Sequence, residues 1–275
     1  MMAVAPFAAE ESGRPGRGGP CLSIARRGGS ITKEAYRMAH EQMGEQQVAE
    51  YLHMDRREVV KLASRGQIPC RKVGGCFIFT KGEVDHWVES RMHTMGRDRL
   101  AKIEKGVSRH HGFDDLSLLV CPMIPPGGVA APLHARTRDS VLRELVALAE
   151  SAGAVANRDE LLSEVRSRED LCSTAIVPGV ALPHPRRPLP YDICASFVVV
   201  GLTPGGLPFG AVDGSLTRLF FLICCKDERT HLHVLARLAQ MLHDQAVIEE
   251  FVSAGDADEL SGMLLRREQA VLVTK

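Results

Sequence analysis

The sequence predicts two domains, a small winged helix-turn-helix unit followed by an α/β domain with a mixed sheet covered by helices. Three observations carry this. The first is an uneven charge: the 275 residues hold 34 Lys+Arg and 34 Asp+Glu, yet residues 1–111 carry 19 basic against 13 acidic side chains, and the remainder 15 against 21. A formal net charge of zero is therefore the sum of +6 and −6. Such asymmetry marks a nucleic-acid-binding part joined to something else and excludes one polyanion-binding surface running over the whole chain. The second is a pair of short amphipathic helices followed by a Gly-Gly hairpin within residues 46–79. The third is the interleaving of helical and strand patterns from Phe113 onward, which implies a sheet covered by helices.

Composition bounds the rest. At 45% apolar and 25% charged residues the chain is ordinary globular protein. The longest apolar runs, such as Leu219 to Cys225, fall far short of the roughly 20 residues that cross a bilayer. Met1 to Ala9 has neither the basic flank nor the apolar length of a secretory signal, so no membrane association and a cytoplasmic location are expected. Eight cysteines (Cys21, Cys70, Cys76, Cys121, Cys172, Cys194, Cys224 and Cys225) include no C-x-x-C pair and read as reduced core thiols.

Four stretches follow. Residues 1–43 form an extension expected to be disordered or partly helical, because residues 1–30 are rich in Gly, Arg, Pro and Ala without apolar periodicity. Met38 and Met43 stand just before the folded part, which leaves the true start open, with residues 1–37 as a candidate mis-assigned extension. Residues 44–92 form the small domain, 93–112 a polar, basic linker, and 113–271 the α/β domain.

Within the small domain, Gln46 to Leu52 presents Val48, Ala49 and Leu52 on one helical face, and His53-Met54-Asp55 is a turn. Asp55 with Glu58 starts a second helix, which Gly66 ends. Val59, Leu62 and Ala63 lie inward, while Arg57, Lys61, Ser64 and Arg65 share the other side. A helix-turn-helix at this spacing places its second helix against double-stranded DNA, where Arg and Lys meet phosphates or guanine edges. Cys70 to Val73 and Cys76 to Phe79 flank Gly74-Gly75, a two-residue hairpin turn. Thr80 to Val88 begins a closing helix. Trp87 and Tyr51 read as core residues, which leaves too few exposed aromatics for single-strand binding.

The order Ala-Glu-Tyr-Leu, basic helix, Gly-Gln-Ile-Pro, Val-Gly-Gly and Val-Asp-His-Trp resembles the excisionase-like, MerR-type winged helix-turn-helix family over about residues 45–90. The resemblance implies that the second helix enters the major groove and the wing touches the backbone, with DNA contacts from Arg56, Arg57, Lys61, Arg65, Arg71 and Lys72. Cys76 stands where the family commonly has a basic residue, which removes one expected wing contact.

In the larger domain, Thr137 caps a helix with Val141, Leu142, Leu145, Val146, Leu148 and Ala149 at helical spacing, and Asn157 with Glu160 starts the next, which is expected to end near Arg168. Pro183-His184-Pro185 holds a histidine between two residues that restrict the backbone. Strands are expected over Ala195–Gly201 and Arg218–Cys225, separated by turns at Thr203-Pro204-Gly205-Gly206 and Val212-Asp213-Gly214. Thr230 is expected to cap the helix bearing His231, with Leu232, Leu235, Leu238, Ala239 and Leu242 as its core stripe and His233 and His243 on its surface. Asp256 with Glu259 starts the last helix.

The strings Arg168-Glu169-Asp170-Leu171-Cys172-Ser173-Thr174, Gly179 to His184, and Thr230-His231-Leu232 resemble the enzyme IIA domain of the fructose/mannitol and nitrogen-regulatory branch of the phosphotransferase system, over about residues 113–270. The resemblance implies that His184 accepts a phosphoryl group from the phosphocarrier HPr, that His231 lies beside it, and that Arg168 and Thr174 belong to the same site. Imidazole suits the task, because near its pKa of about 6.5 a neutral nitrogen is available without a separate base. The rest is positioning and charge neutralisation on the transferred group, for which no cofactor and no metal is required. Pro178 and Pro185 depart from the family pattern, and Pro185 removes an amide donor beside the acceptor. The expected function is a regulatory phosphocarrier coupled to DNA binding, with two rivals: a transport subunit passing phosphate to a separate IIB protein, and a binding-only regulator.

Overall fold

The computed structural model describes residues 42–92, 95–96, 98–101, 104, 119–211 and 213–273. The expected extension over residues 1–41, Cys21 and most of the expected linker lie outside the described residues.

In the small domain a three-stranded sheet of order β1-β3-β2 joins β1 (Gln42–Gly44), β2 (Arg71–Val73) and β3 (Cys76–Thr80), all antiparallel. β1 begins two residues before the expected domain start, and three residues carry too little pattern to be read as a strand. α1 (Glu45–Tyr51) and α2 (Arg56–Ser64) are the paired helices; Asp55 caps α2 by accepting from Arg57 N at 2.7 Å. Gly74 and Gly75 both adopt positive φ, at 57° and 89°, as the tight turn between β2 and β3 requires. α3 (Lys81–Arg91) closes the domain, and Val84, Trp87 and Val88 on it are buried.

The larger domain is built on a four-stranded mixed sheet of order β4-β6-β7-β5: β4 (Val129–Ala130) and β5 (Val180–Ala181) run parallel to their neighbours, while β6 (Phe197–Leu207) and β7 (Thr217–Cys224) pair antiparallel. The two-residue pleat period sorts the central strands cleanly. Val198, Val200, Leu202, Leu219, Phe221 and Ile223 face one core; Phe197, Val199, Phe220, Leu222 and Cys224 face the other. The second core is covered by α4 (Arg138–Ser151) and α5 (Arg158–Leu171), the first by α6 (Glu228–Met241), α7 (Gln245–Val252) and α8 (Ala257–Val273). Each such fully buried side chain contributes about 1.5–3 kcal/mol. At Gly201 a Cβ would lie 2.8 Å from Leu133 Cδ2 and 3.0 Å from Leu145 Cδ2, so the absent side chain lets α4 approach the sheet.

Several expectations are corrected. β6 runs through Pro204-Gly205-Gly206, where a turn was expected; the ladder lapses between Leu202 and Leu207, so the missing proline N–H costs no pairing. α5 extends to Leu171, which puts Arg168 in its last turn. α6 begins at Glu228, capped by Asp227 through the N–H groups of Arg229 and Thr230, and Thr230 is an inner residue whose hydroxyl donates to Asp227 Oδ2 at 2.6 Å. His233 is buried, 3.7 Å from Glu104, whereas His243 is exposed as expected. The seven described cysteines are free, but Cys76, Cys172 and Cys194 are exposed rather than core residues.

The apolar core of the small domain is continuous with the first core of the larger one: Trp87, Val88, Met92 and Leu100 belong to the same cluster as Leu232, Leu235 and Phe221. The described part of the expected linker therefore packs. Leu100 is fully buried, and Glu104 accepts from Arg237 Nε and, at 2.7 Å, from Gln240 Nε2. Glu268 stands 3.6 Å from Arg237 Nη1 and accepts from the N–H groups of Val120 and Cys121.

Candidate phosphoryl-transfer site and its occupant

The site lies where the last turn of α5, the loop after β5 and the first turn of α6 meet. Pro183 and Pro185 leave the backbone of His184 little freedom, and its ring is 3% exposed. His184 Nδ1 lies 2.8 Å from the carbonyl of Leu182, which can only accept, so Nδ1 carries the proton. Arg168 Nε, which can only donate, lies 3.0 Å from His184 Nε2, so Nε2 presents its lone pair. The ring is therefore neutral. Burial is the main cause of a pKa below the ordinary 6.5; Arg168 and His231 push the same way and Glu89 opposes them.

Arg168 is held by its own loop: Nη1 donates to Cys172 O at 3.1 Å. His231 stacks obliquely on His184, with ring centroids 4.8 Å apart. Its Nε2 is buried without a hydrogen bond. His184, Arg168 and His231, all expected at the site, are thus brought together. Thr174 differs. Its hydroxyl donates to Glu169 Oε2 at 2.6 Å and its N–H to Glu169 Oε1 at 3.0 Å, so this side chain braces the loop while lining the same small space as His184.

One residue of the cluster escaped the sequence reading. Glu89, on α3 of the small domain, projects into the centre of this cluster. Its Oε2 lies 3.3 Å from Arg168 Nη2 and 3.4 Å from His184 Nε2, and its Oε1 lies 3.4 Å from His231 Nε2. Burial alone would raise its pKa; in the acid range where a carboxyl titrates, the rings of His184 and His231, once protonated, outweigh that and hold it well below the carboxylate range. The ligand atoms of Glu89, His184 and His231 fall within 4.8 Å of one another, a set that could in type hold a metal ion. The guanidinium of Arg168, already bonded to His184 Nε2, makes the cluster suited to an anion instead. Two small spaces adjoin it, about 30 Å³ beside Arg168 and His184 and about 50 Å³ beside Glu89 and His231, each with room for only a few waters.

The residues expected to contact DNA lie elsewhere. Arg57, Lys61, Arg65, Arg71 and Lys72 are all exposed. Arg56 is exposed too, but it pairs with Glu45 at 2.8 Å, and Glu45 also accepts from Phe77 N, so Arg56 helps tie α2 to β3.

No helix among the described residues is long and apolar enough to cross a membrane. Residues 123–266 match the family "Phosphoenolpyruvate-dependent sugar phosphotransferase system, EIIA 2", and residues 43–92 match "Helix-turn-helix domain". The chain is 28% identical over 148 residues to a nitrogen regulatory protein of Bradyrhizobium diazoefficiens, covering 53% of this chain and 94% of that one. It is 23% identical over 139 residues to the fructose-specific EIIABC component of Bacillus subtilis, covering 50% of this chain and 21% of that larger protein. Among solved structures, nitrogen regulatory protein IIA-Ntr from Neisseria meningitidis is 21% identical with a TM-score of 0.48, covering 53% of this chain and 98% of that one. IIA mannitol from Escherichia coli is 23% identical with a TM-score of 0.45, covering 50% and 96%. The chain belongs to the EIIA 2 family of the phosphoenolpyruvate-dependent sugar phosphotransferase system, and it carries a helix-turn-helix domain ahead of the EIIA domain.

Proposed function

We propose that His184 accepts a phosphoryl group from an HPr-like phosphocarrier in the cytoplasm and that the chain couples this event to the binding of double-stranded DNA by its first domain. The observation that supports this most is the tautomer of His184: a proton on Nδ1 bonded to Leu182 O, and an Nε2 lone pair aimed into a pocket shared with Arg168 and His231. In the transfer, the Nε2 lone pair attacks the phosphorus of the donor's phosphohistidine. The donor's N–P bond breaks, its electron pair returning to the donor ring, and the new N–P bond forms on His184. The Nδ1 proton stays in place, where the Leu182 carbonyl disperses the positive charge the ring gains. Arg168 and His231 neutralise the phosphoryl oxygens, and Thr174 acts indirectly, by bracing the loop through Glu169. Arg57, Lys61, Arg65, Arg71 and Lys72, with Arg56 in a lesser part, supply phosphate and base contacts.

Incubation with enzyme I, HPr and labelled phosphoenolpyruvate tests the acceptor. Wild type should take up acid-labile label and His184→Ala should take up none; an unlabelled wild type would leave a binding-only regulator as the better reading.

A further inference from the structure

The small domain places a carboxylate where the phosphoryl group of the proposed reaction has to go. We infer that Glu89 is a built-in competitor for the phosphoryl group: the helix-turn-helix domain and the phosphoryl group occupy one anion site on the EIIA domain and exclude each other. The inference deepens the proposed function, since it names how the same site is regulated.

Glu89 faces all three groups that would bind the phosphoryl oxygens or form the N–P bond, at 3.3–3.4 Å. With His184 3% exposed and only water-sized spaces of about 30 and 50 Å³ beside the cluster, a donor protein has no path to Nε2 while α3 is docked. A phosphoryl group on Nε2 would meet the Glu89 carboxylate at bonding range, and two anions cannot share a buried site at that distance without strong repulsion.

The docking is also supported away from Glu89. Lys81 pairs with Glu228 of α6 and, at 3.1 Å, with Asp85, which accepts from Tyr51 Oη at 2.6 Å. On the far side of Glu89, His86 Nε2 approaches Cys172 Sγ at 3.9 Å. The basic face of α2 and the wing stay exposed throughout. Docking therefore fixes the orientation of the DNA-binding face without covering it, and phosphorylation would release it from the EIIA domain.

Two readings on full-length protein test this. Carbethoxylation of His184 by diethylpyrocarbonate, followed by mass spectrometry, reports access to Nε2 with no phosphoryl donor present. Glu89→Gln should raise its rate, and the rate of labelling by phosphorylated HPr, by about tenfold or more, the worth of one charge-assisted hydrogen bond. Wild-type rates in a folded Glu89→Gln protein would overturn the inference. Should that variant fail to fold by circular dichroism, Glu228→Gln, which breaks the docking pair with Lys81 while leaving Glu89 in place, gives the same test with the same two outcomes. The two readings separate the claims: no HPr labelling of either protein would sink the proposed acceptor role, while the carbethoxylation rates still decide whether Glu89 closes the site.

Discussion

The helix-turn-helix domain has two charged faces that differ in kind. On α2 and the wing, Arg57, Lys61, Arg65, Arg71 and Lys72 project into solvent. On α3, Lys81, Asp85 and Glu89 are matched side chain by side chain to the EIIA domain or to one another. Charges in water act together and are screened by salt, so the first face suits a long polyanion whose sequence matters second. Charges taken out of water must be paired one by one, so the second face suits a single partner in a single pose. One small domain thus separates a general electrostatic surface from a specific lock.

Substitutions probe the two faces separately. The greatest change is expected within the lock: Arg168→Ala removes the fork that faces both His184 and Glu89, and should lower the rate of His184 labelling by about 10²–10³, as loss of one preorganised donor does. A rate within twofold of wild type would mean that the arginine serves only to bind Glu89. Next comes the anchor below the lock. Glu104→Leu strands Arg237, which is fully buried and has Glu268 at 3.6 Å as its other carboxylate. Breaking such a pair costs about 3–5 kcal/mol, to be read as a lower thermal unfolding temperature. A neutral result would show that the packed linker segment is dispensable.

A smaller effect concerns pH. His184 titrates lower in the folded protein than its ordinary 6.5, mainly through burial, so the folded state favours the neutral ring. The stability this contributes is present above about pH 6.5 and is lost as pH falls through the lowered value. Denaturant midpoints should hold steady from about pH 8 to 7 and fall below 6.5. His184→Gln should remove that part of the slope. The least change per residue belongs to the exposed face: Arg57→Ala with Lys61→Ala should reduce the slope of log K against log salt by about one for each phosphate left without its cation. An unchanged slope would mean that α2 does not track the DNA backbone.

Legibility followed the same division. The paired helices, the Gly74-Gly75 turn and the proline-bracketed His184 rest on local rules, and each could be read along the chain. Arg168 and His231 could be singled out along the chain and do lie against His184, although the ends of α5 and α6 were misplaced, because several capping patterns compete at helix ends: Asp227 and Thr230 are equally good caps in isolation, and only Asp227 captures two N–H groups. β1, β4 and β5 have two or three residues each, too few for periodicity to show. Glu89 could not be found from sequence. On an isolated α3 it reads as one more solvated charge, and its role exists only once α3 meets α6. Glu104 was hidden likewise, since nothing near it in the chain announces that Arg237 of α6 will bury it.

Mutual exclusion between docking of the helix-turn-helix domain and phosphorylation of His184 can be read as a distance between the two domains. Paired spin labels placed at Ser64 on α2 and Ser151 on α4 report it before and after phosphorylation by enzyme I, HPr and phosphoenolpyruvate. One narrow distance is expected in the unphosphorylated protein, and a longer, broad distribution once His184 carries phosphate. A distribution that stays narrow and unshifted in fully phosphorylated protein would show that the two domains remain docked and that Glu89 does not compete for the site.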